Sequence, residues 1–217
     1  MRTLLVAILL LAPSLAGAQS ADSSRFVILH GADTVATEDL NRTDTELRGT
    51  LAFRGAKTTE LYRAVVAPDE TVPLVEVTVR EAPTSSAEKA RIAQQARIIF
   101  RNDSVSIDDI SNHGLETRVL ATRTGAVPYI NLSFGLLEQA IRRAAVLGKD
   151  SVKVAFFNLS GSASQGGGAT VVGTVFRHGA DSVSLDLGQV EFRMRVDTRG
   201  RLVSGGIPAQ QVSFTRN

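Results

Sequence analysis

The sequence predicts an α+β, mainly β domain: a curved antiparallel sheet or half-barrel of about ten strands wrapping one amphipathic helix. Three observations lead there. Most of the chain falls into short segments whose apolar residues recur every second position, the period of a strand with one buried face. A single long stretch, residues 126–148 (AVPYINLSFGLLEQAIRRAAVLG), has helical spacing instead. The strand segments also carry apolar residues on one face only, whereas a sheet covered on both sides would show continuous apolar runs.

The helix is expected over about residues 130–147. Ile130, Phe134, Leu137, Ile141 and Ala144/Ala145 recur on one face, while Glu138, Gln139, Arg142 and Arg143 fall elsewhere on the wheel. Asn131 or Ser133 can cap the first free N–H groups, and Gly148 can close the last turn in the left-handed conformation.

Ahead of it the strands form a meander. Phe26 to Leu29 reads as a strand, His30 to Thr34 as a turn, and Val35 opens the next strand. Leu47, Gly49, Leu51 and Phe53 alternate with Glu46, Arg48, Thr50 and Arg54. Gly55-Ala56-Lys57 reverses the chain, and Pro68-Asp69 separates Leu61–Val66 from Val72–Val79. Val75, Val77 and Val79 share one face of the latter. Residues 83–95 read equally well as a short surface helix, with Ser85 and Glu88 spaced for a capping box, or as a long loop. Ile98–Arg101, Val105–Ile107 and Leu115–Thr124 return to strand.

After the helix, Val152–Leu159 is a strand rich in Val and Phe, and Gly161–Gly168 (GSASQGGG) is a flexible loop. In Ser182–Asp197 the apolar positions are odd-numbered before Gly188 and even-numbered after Gln189. A two-residue turn there pairs Leu187 with Val190, Leu185 with Phe192 and Val183 with Met194 on one face, and Asp186 with Glu191, Ser184 with Arg193 and Ser182 with Arg195 on the other. Asp197 to Arg201 forms the next turn and Gln210 to Phe214 a final strand. HGADTV at His30–Val35 recurs as HGADSV at His178–Val183, an echo that either an old internal duplication or, more commonly, convergent turn chemistry produces.

Residues 1–18 have the form of a secretory signal: Arg2, an apolar run from Leu4 to Leu11, and small residues at Ala16 and Ala18. Residues 19–24 are a polar lead-in expected to be disordered, and 25–217 one domain. The chain is therefore expected to be exported, to the periplasm or the extracellular space, with no membrane span once the signal is removed. It has no cysteine, so burial and the hydrogen-bond ladder must stabilise it. Besides Arg2, basic and acidic residues nearly balance, and no nucleic-acid partner is implied.

Chemistry-bearing motifs are sparse. Asp108, Asp109 and His113, or His30 and His178 with Asp33 and Asp181, lack a recognised metal-ligand spacing. Ser160, Ser162 and Ser164 lie beside glycine without a nucleophile elbow. GSASQGGG lacks the Lys and Ser/Thr of a phosphate-binding loop. The expectation is no catalytic residue, no metal and no cofactor.

The run of one-faced strands, the AVPYINLSFGLLEQAIRRA helix, the DSVSLDL hairpin and the VDTRGRLVSGGIPAQQ ending resemble exported bacterial proteins of unknown function. More distantly they are similar to periplasmic lipoprotein carriers, in which an antiparallel half-barrel wraps a helix. That resemblance implies a concave face able to accept lipid chains. The expected function is a non-catalytic binding or carrier module for an apolar ligand or chain segment, with Phe134, Leu137 and Ile141 as ligand-binding residues. The partner would be a lipid or other apolar ligand. The alternative is a structural or protein-interaction domain of the cell envelope with a filled core, partnered by an envelope protein; a hydrolase ranks third.

Overall fold

The computed structural model describes residues 21–83, 89–111, 114–160 and 168–217. The signal-like segment, most of the capping-box motif, His113, Ser162 and Ser164 lie outside these residues. Among the described residues, fifteen strands form one sheet. Before the helix run β1 (Asp22–His30), β2 (Asp33–Arg42), β3 (Glu46–Phe53), β4 (Thr58–Val65), β5 (Leu74–Glu81), β6 (Arg91–Arg101), β7 (Ser104–Ser111), β8 (Gly114–Ala121) and β9 (Val127–Tyr129). The helix α1 (Phe134–Val146) follows, then β10 (Ser151–Asn158), β11 (Thr170–Arg177), β12 (Ser182–Asp186), β13 (Glu191–Val196), β14 (Leu202–Ile207) and β15 (Val212–Arg216).

The spatial order is β8-β7-β6-β5-β4-β3-β2-β1-β15-β14-β13-β12-β11-β10-β9. All neighbours are antiparallel except β9 and β10, and β8 and β9 are the two ends of an unclosed sheet. Pro128 sits in β9, where an edge strand tolerates its missing N–H. The inner face carries the apolar rows, such as Leu47 and Leu51 of β3 with Val75 of β5 and Ile98 of β6. The outer face is solvated by cross-strand pairs, Arg25 with Asp39 and Arg63 with both Glu46 and Glu76. The strands outnumber the ten or so expected because β9, β11 and β14 carry Pro128, Gly173 and Gly205-Gly206, residue types that weaken a strand signal in the sequence.

The Ser182–Asp197 hairpin has the expected register at all five ladder positions from Ser182↔Arg195 to Asp186↔Glu191, and Leu187 N–H donates to Val190 O at 2.9 Å. Both HGAD motifs are hairpin turns, one between β1 and β2, the other between β11 and β12. Several expectations are corrected. The helix begins at Phe134 rather than near 130; Ser133 is its cap, accepting from Leu136 N–H, and Gly148, at φ 68°, follows its end. Residues 91–95 belong to β6, so no helix extends there. Asp22 to Ser24 are in β1, paired with Arg42 to Leu40, so the polar lead-in is partly ordered by the ladder. The last strand starts at Val212, after a 3-10 turn at Pro208–Gln210.

Helix α1 lies within the curve of the sheet. Its Phe134, Leu136, Leu137, Ala140, Ile141 and Ala144 are buried, and so are Glu138 and Gln139, which the wheel placed away from the apolar face. The helix N-terminus is fastened by Glu38 of β2. This fully buried carboxylate accepts from Phe134 N–H at 2.7 Å, Gly135 N–H at 3.0 Å, Ser133 Oγ at 2.6 Å and Tyr62 Oη at 2.7 Å. It meets the free N–H groups and the positive end of the helix dipole together. Burial pushes its pKa above the usual carboxylate range, against those four hydrogen bonds.

Further along, Glu138 accepts from Leu202 N–H at 2.8 Å, Arg216 at 2.5 Å and Arg142 at 3.2 Å. Gln139 accepts from Arg42 at 2.6 Å and donates to Glu70. The helix can thus be enclosed beyond its apolar arc because the buried Glu138 and Gln139 find partners on the sheet or a loop.

Candidate functional site

The helix is held by Phe26 of β1, Glu38 of β2, Leu202 of β14 and Phe214 of β15, and the larger opening in the curve lies away from these contacts, over β4 to β8. A cavity of about 510 Å³ remains there, a size that suits a small organic ligand. The ladders arrange this part of the sheet in rows, from which the cavity takes Val77, Ala96, Ile98, Ile107, Asp109, Glu116, Arg118 and Leu120. One row runs Val77, Ala96, Asp109, Glu116, the next Val75, Ile98, Ile107, Arg118, and a third Phe100, Val105, Leu120. Ile130, Phe157 and Leu159 close the cavity from the other edge. The seam narrows where Thr122 and Thr170 hydroxyls meet at 2.9 Å.

The lining is apolar at Val77, Val79, Ile98 and Ile107, and polar at Glu60, Gln94, Asp109, Glu116 and Arg118. Asp109 accepts from Gln94 at 2.9 Å and lies 4.0 Å from Arg118, which lies 3.6 Å from Glu116. Glu60 is different. Desolvation alone shifts its pKa, upward.

The three expected ligand-contacting residues separate. Phe134 stacks on Phe214 with centroids 3.9 Å apart and meets the edge of Phe26, and Leu137 is buried in the same core. Ile141 lines a second, smaller pocket of about 190 Å³ between the end of α1 and Val175, Val183 and Val196, rimmed by Lys149, Arg177 and Arg199. Neither Phe134 nor Leu137 borders the larger cavity, whose helix-side wall is Ile130. Sequence reasoning missed its sheet-side lining, although the alternation of Val77 and Val79 had already put them on the inner face.

The candidate metal residues are also apart. Asp108 and Asp109 point to opposite faces of β7, Asp108 accepting from Thr117 on the outside. His30 ends β1, while His178 bonds Ser184 at 2.8 Å beside β12. Among the described residues, no group of three His, Cys, Asp or Glu side chains is placed to hold a metal ion. Ser160 Oγ accepts from Asn131 N–H at 2.7 Å, a loop-closing role. No helix of the described residues is long and apolar enough to cross a membrane.

No family model matches the chain, and no curated protein matches it either. Its fold is similar to the crystal structure of a DUF1089 family protein from Pseudomonas aeruginosa, with a TM-score of 0.57 and 16% identity, over 79% of this chain and 89% of that one. A β-barrel-like protein of the domain of unknown function DUF1849 from Brucella abortus matches with a TM-score of 0.49 and 10% identity, over 91% and 93% of the two chains. The first likeness concerns the fold alone.

Proposed function

We propose that this chain is an exported, non-catalytic binding or carrier module that holds an apolar ligand, or an apolar segment of another chain, in the cavity between Ile130 and the β4 to β8 half of the sheet. The observation that carries this reading is the cavity of about 510 Å³ with Val77, Val79, Ile98 and Ile107 on its inner wall. Apolar surface left open in this way gains about 25 cal/mol per Å² when a ligand covers it. The helix supports the reading by filling only one side of the curve, which leaves the other side preformed. The similarity to periplasmic lipoprotein carriers drawn from the sequence supports a lipid-like occupant in the periplasm or outside the cell.

The test is extraction of purified protein for bound lipid, together with displacement of an environment-sensitive dye by fatty acyl compounds. Ala96→Trp, which projects an indole into the cavity, is expected to abolish dye binding while the far-ultraviolet circular dichroism stays unchanged. Absence of bound lipid and of acyl-displaceable dye binding in the unmodified protein would overturn the proposal. Those results would favour a structural or protein-interaction domain of the cell envelope, a reading supported by the dense packing of Phe134 and Leu137.

A further inference from the structure

Strand β8 has β7 on one side and, among the described residues, no strand on the other. Thr122 N–H donates to Asp103 O at 2.8 Å. Counting back from that bond, the alternation of an antiparallel ladder turns the backbone groups of Arg118 and Glu116 toward β7, and those of Leu115, Thr117 and Val119 toward the open side. Side chains of the second set project from the outer face, where Leu115 and Val119 are 68% and 69% exposed. Ile110, opposite Leu115 on β7, is exposed as well. Such an edge is a template for another strand: β8 has no lysine, proline or bulge, and its two inward charges, Glu116 and Arg118, are of opposite sign, so they repel an unrelated strand but can complement a second copy of the same one.

We propose that β8 pairs with β8 of a second copy of this chain, antiparallel, about a two-fold axis through Thr117. Symmetric pairing with the axis at Thr117 sets Leu115 of each copy against Val119 of the other on the outer face. It also sets Glu116 of each copy against Arg118 of the other on the inner face, so apolar meets apolar and acid meets base, each twice. The outward backbone groups of Thr117, and of Leu115 with Val119, then meet as hydrogen-bonded pairs. Glu116 and Arg118 take the non-hydrogen-bonded positions, where side chains come closest.

Neighbouring registers fail. An axis at Glu116 or at Arg118 sets that charge against itself, and an axis between residues opposes an outward backbone group to an inward one. Within the chain Arg118 Nε is buried and makes no hydrogen bond. Asp109 and Glu116 of the same chain lie 4.0 and 3.6 Å from that guanidinium, and the dimer sets a further carboxylate opposite it.

Sedimentation over a concentration series tests the pairing, and it is expected to show a monomer–dimer equilibrium. E116R and R118E are each expected to weaken it on the order of tenfold by facing like charges, and the double variant E116R/R118E to restore it. Thr117→Cys gives an otherwise cysteine-free chain one thiol on the axis, with Cα atoms about 5.5 Å apart, within disulfide reach. It is expected to form a covalent dimer on mild oxidation far faster than Val203→Cys, which lies exposed on β14 in the sheet interior. A monomer at every concentration, a double reversal that fails to restore the dimer, or equal cross-linking at 117 and 203 would each overturn the proposal. None of these outcomes depends on what the cavity binds.

Discussion

Tyr62 Oη reaches Glu38 at 2.7 Å through space that a side chain at Gly49 would occupy. A Cβ on Gly49 would lie 2.1 Å from the Tyr62 ring, and one on Gly135 would lie 2.4 Å from the Tyr62 hydroxyl. The two glycines therefore clear a channel in which the tyrosine crosses from β4 to the helix N-terminus. Gly49→Ala is expected to destabilise the protein by about 1–3 kcal/mol, the range for an overpacked core, because the ring cannot withdraw without losing Glu38. Urea unfolding checks it, and an unchanged midpoint would refute the packing argument.

Glu38→Gln tests the helix anchor. A glutamine offers one acceptor oxygen and aims an NH₂ group at donors that the carboxylate satisfied, so about 1–3 kcal/mol should be lost. Hydrogen exchange is expected to accelerate first at Phe134, Gly135 and Leu136. Uniform acceleration across the sheet would show instead that Glu38 supports the whole fold rather than the helix end.

The ion pair of Glu138 and Arg216 is 2.5 Å long, with side chains only 3% and 10% exposed. Glu138→Ala leaves Leu202 N–H without its acceptor and Arg216 with only its longer contacts to Asp22 and Leu202 O, both 3.3 Å, and about 1–3 kcal/mol should be lost. The pair replaced together, Glu138→Leu with Arg216→Met, is expected to lie closer to the unmodified protein than Glu138→Ala alone. Calorimetric unfolding of both variants beside the unmodified protein decides this, and a double variant no more stable than Glu138→Ala would sink it.

Glu60 should make stability depend on pH. Its folded-state pKa is raised by burial, so folding favours the protonated form. Its contribution is complete below the ordinary carboxylate range and is lost as pH rises through the raised value. Glu60→Gln cannot ionise and is expected to be more stable than the unmodified chain at neutral pH, with the difference vanishing in acid. Urea titrations at several pH values measure it. A difference that grows on acidification would reverse the assigned sign.

Much of the architecture was legible locally because a two-residue period says which side of a strand is buried. The Val183 to Met194 register followed from one change of phase at Gly188-Gln189, and the Ser133 cap and Gly148 stop from residue type. The helix start was misread because Ile130 is apolar and buried yet lies outside the helix, just past β9, and burial on a helical spacing cannot by itself distinguish the two.

The sequence by itself determined a one-faced antiparallel sheet, a single main helix and the absence of covalent cross-links, since periodicity, caps and composition are local properties. Only the tertiary structure decided that Glu38, Glu138 and Gln139 are interior, because their partners lie as far as 97 residues away and an unpaired charge would otherwise belong in water. It also decided where the cavity falls. Phe134 is consumed by ring packing against Phe26 of β1 and Phe214 of β15, with Leu137 buried in the same core, and the larger pocket falls over β4 to β8 instead, where Glu60, Asp109, Glu116 and Arg118 in its lining stay in reach of water rather than close against an apolar core.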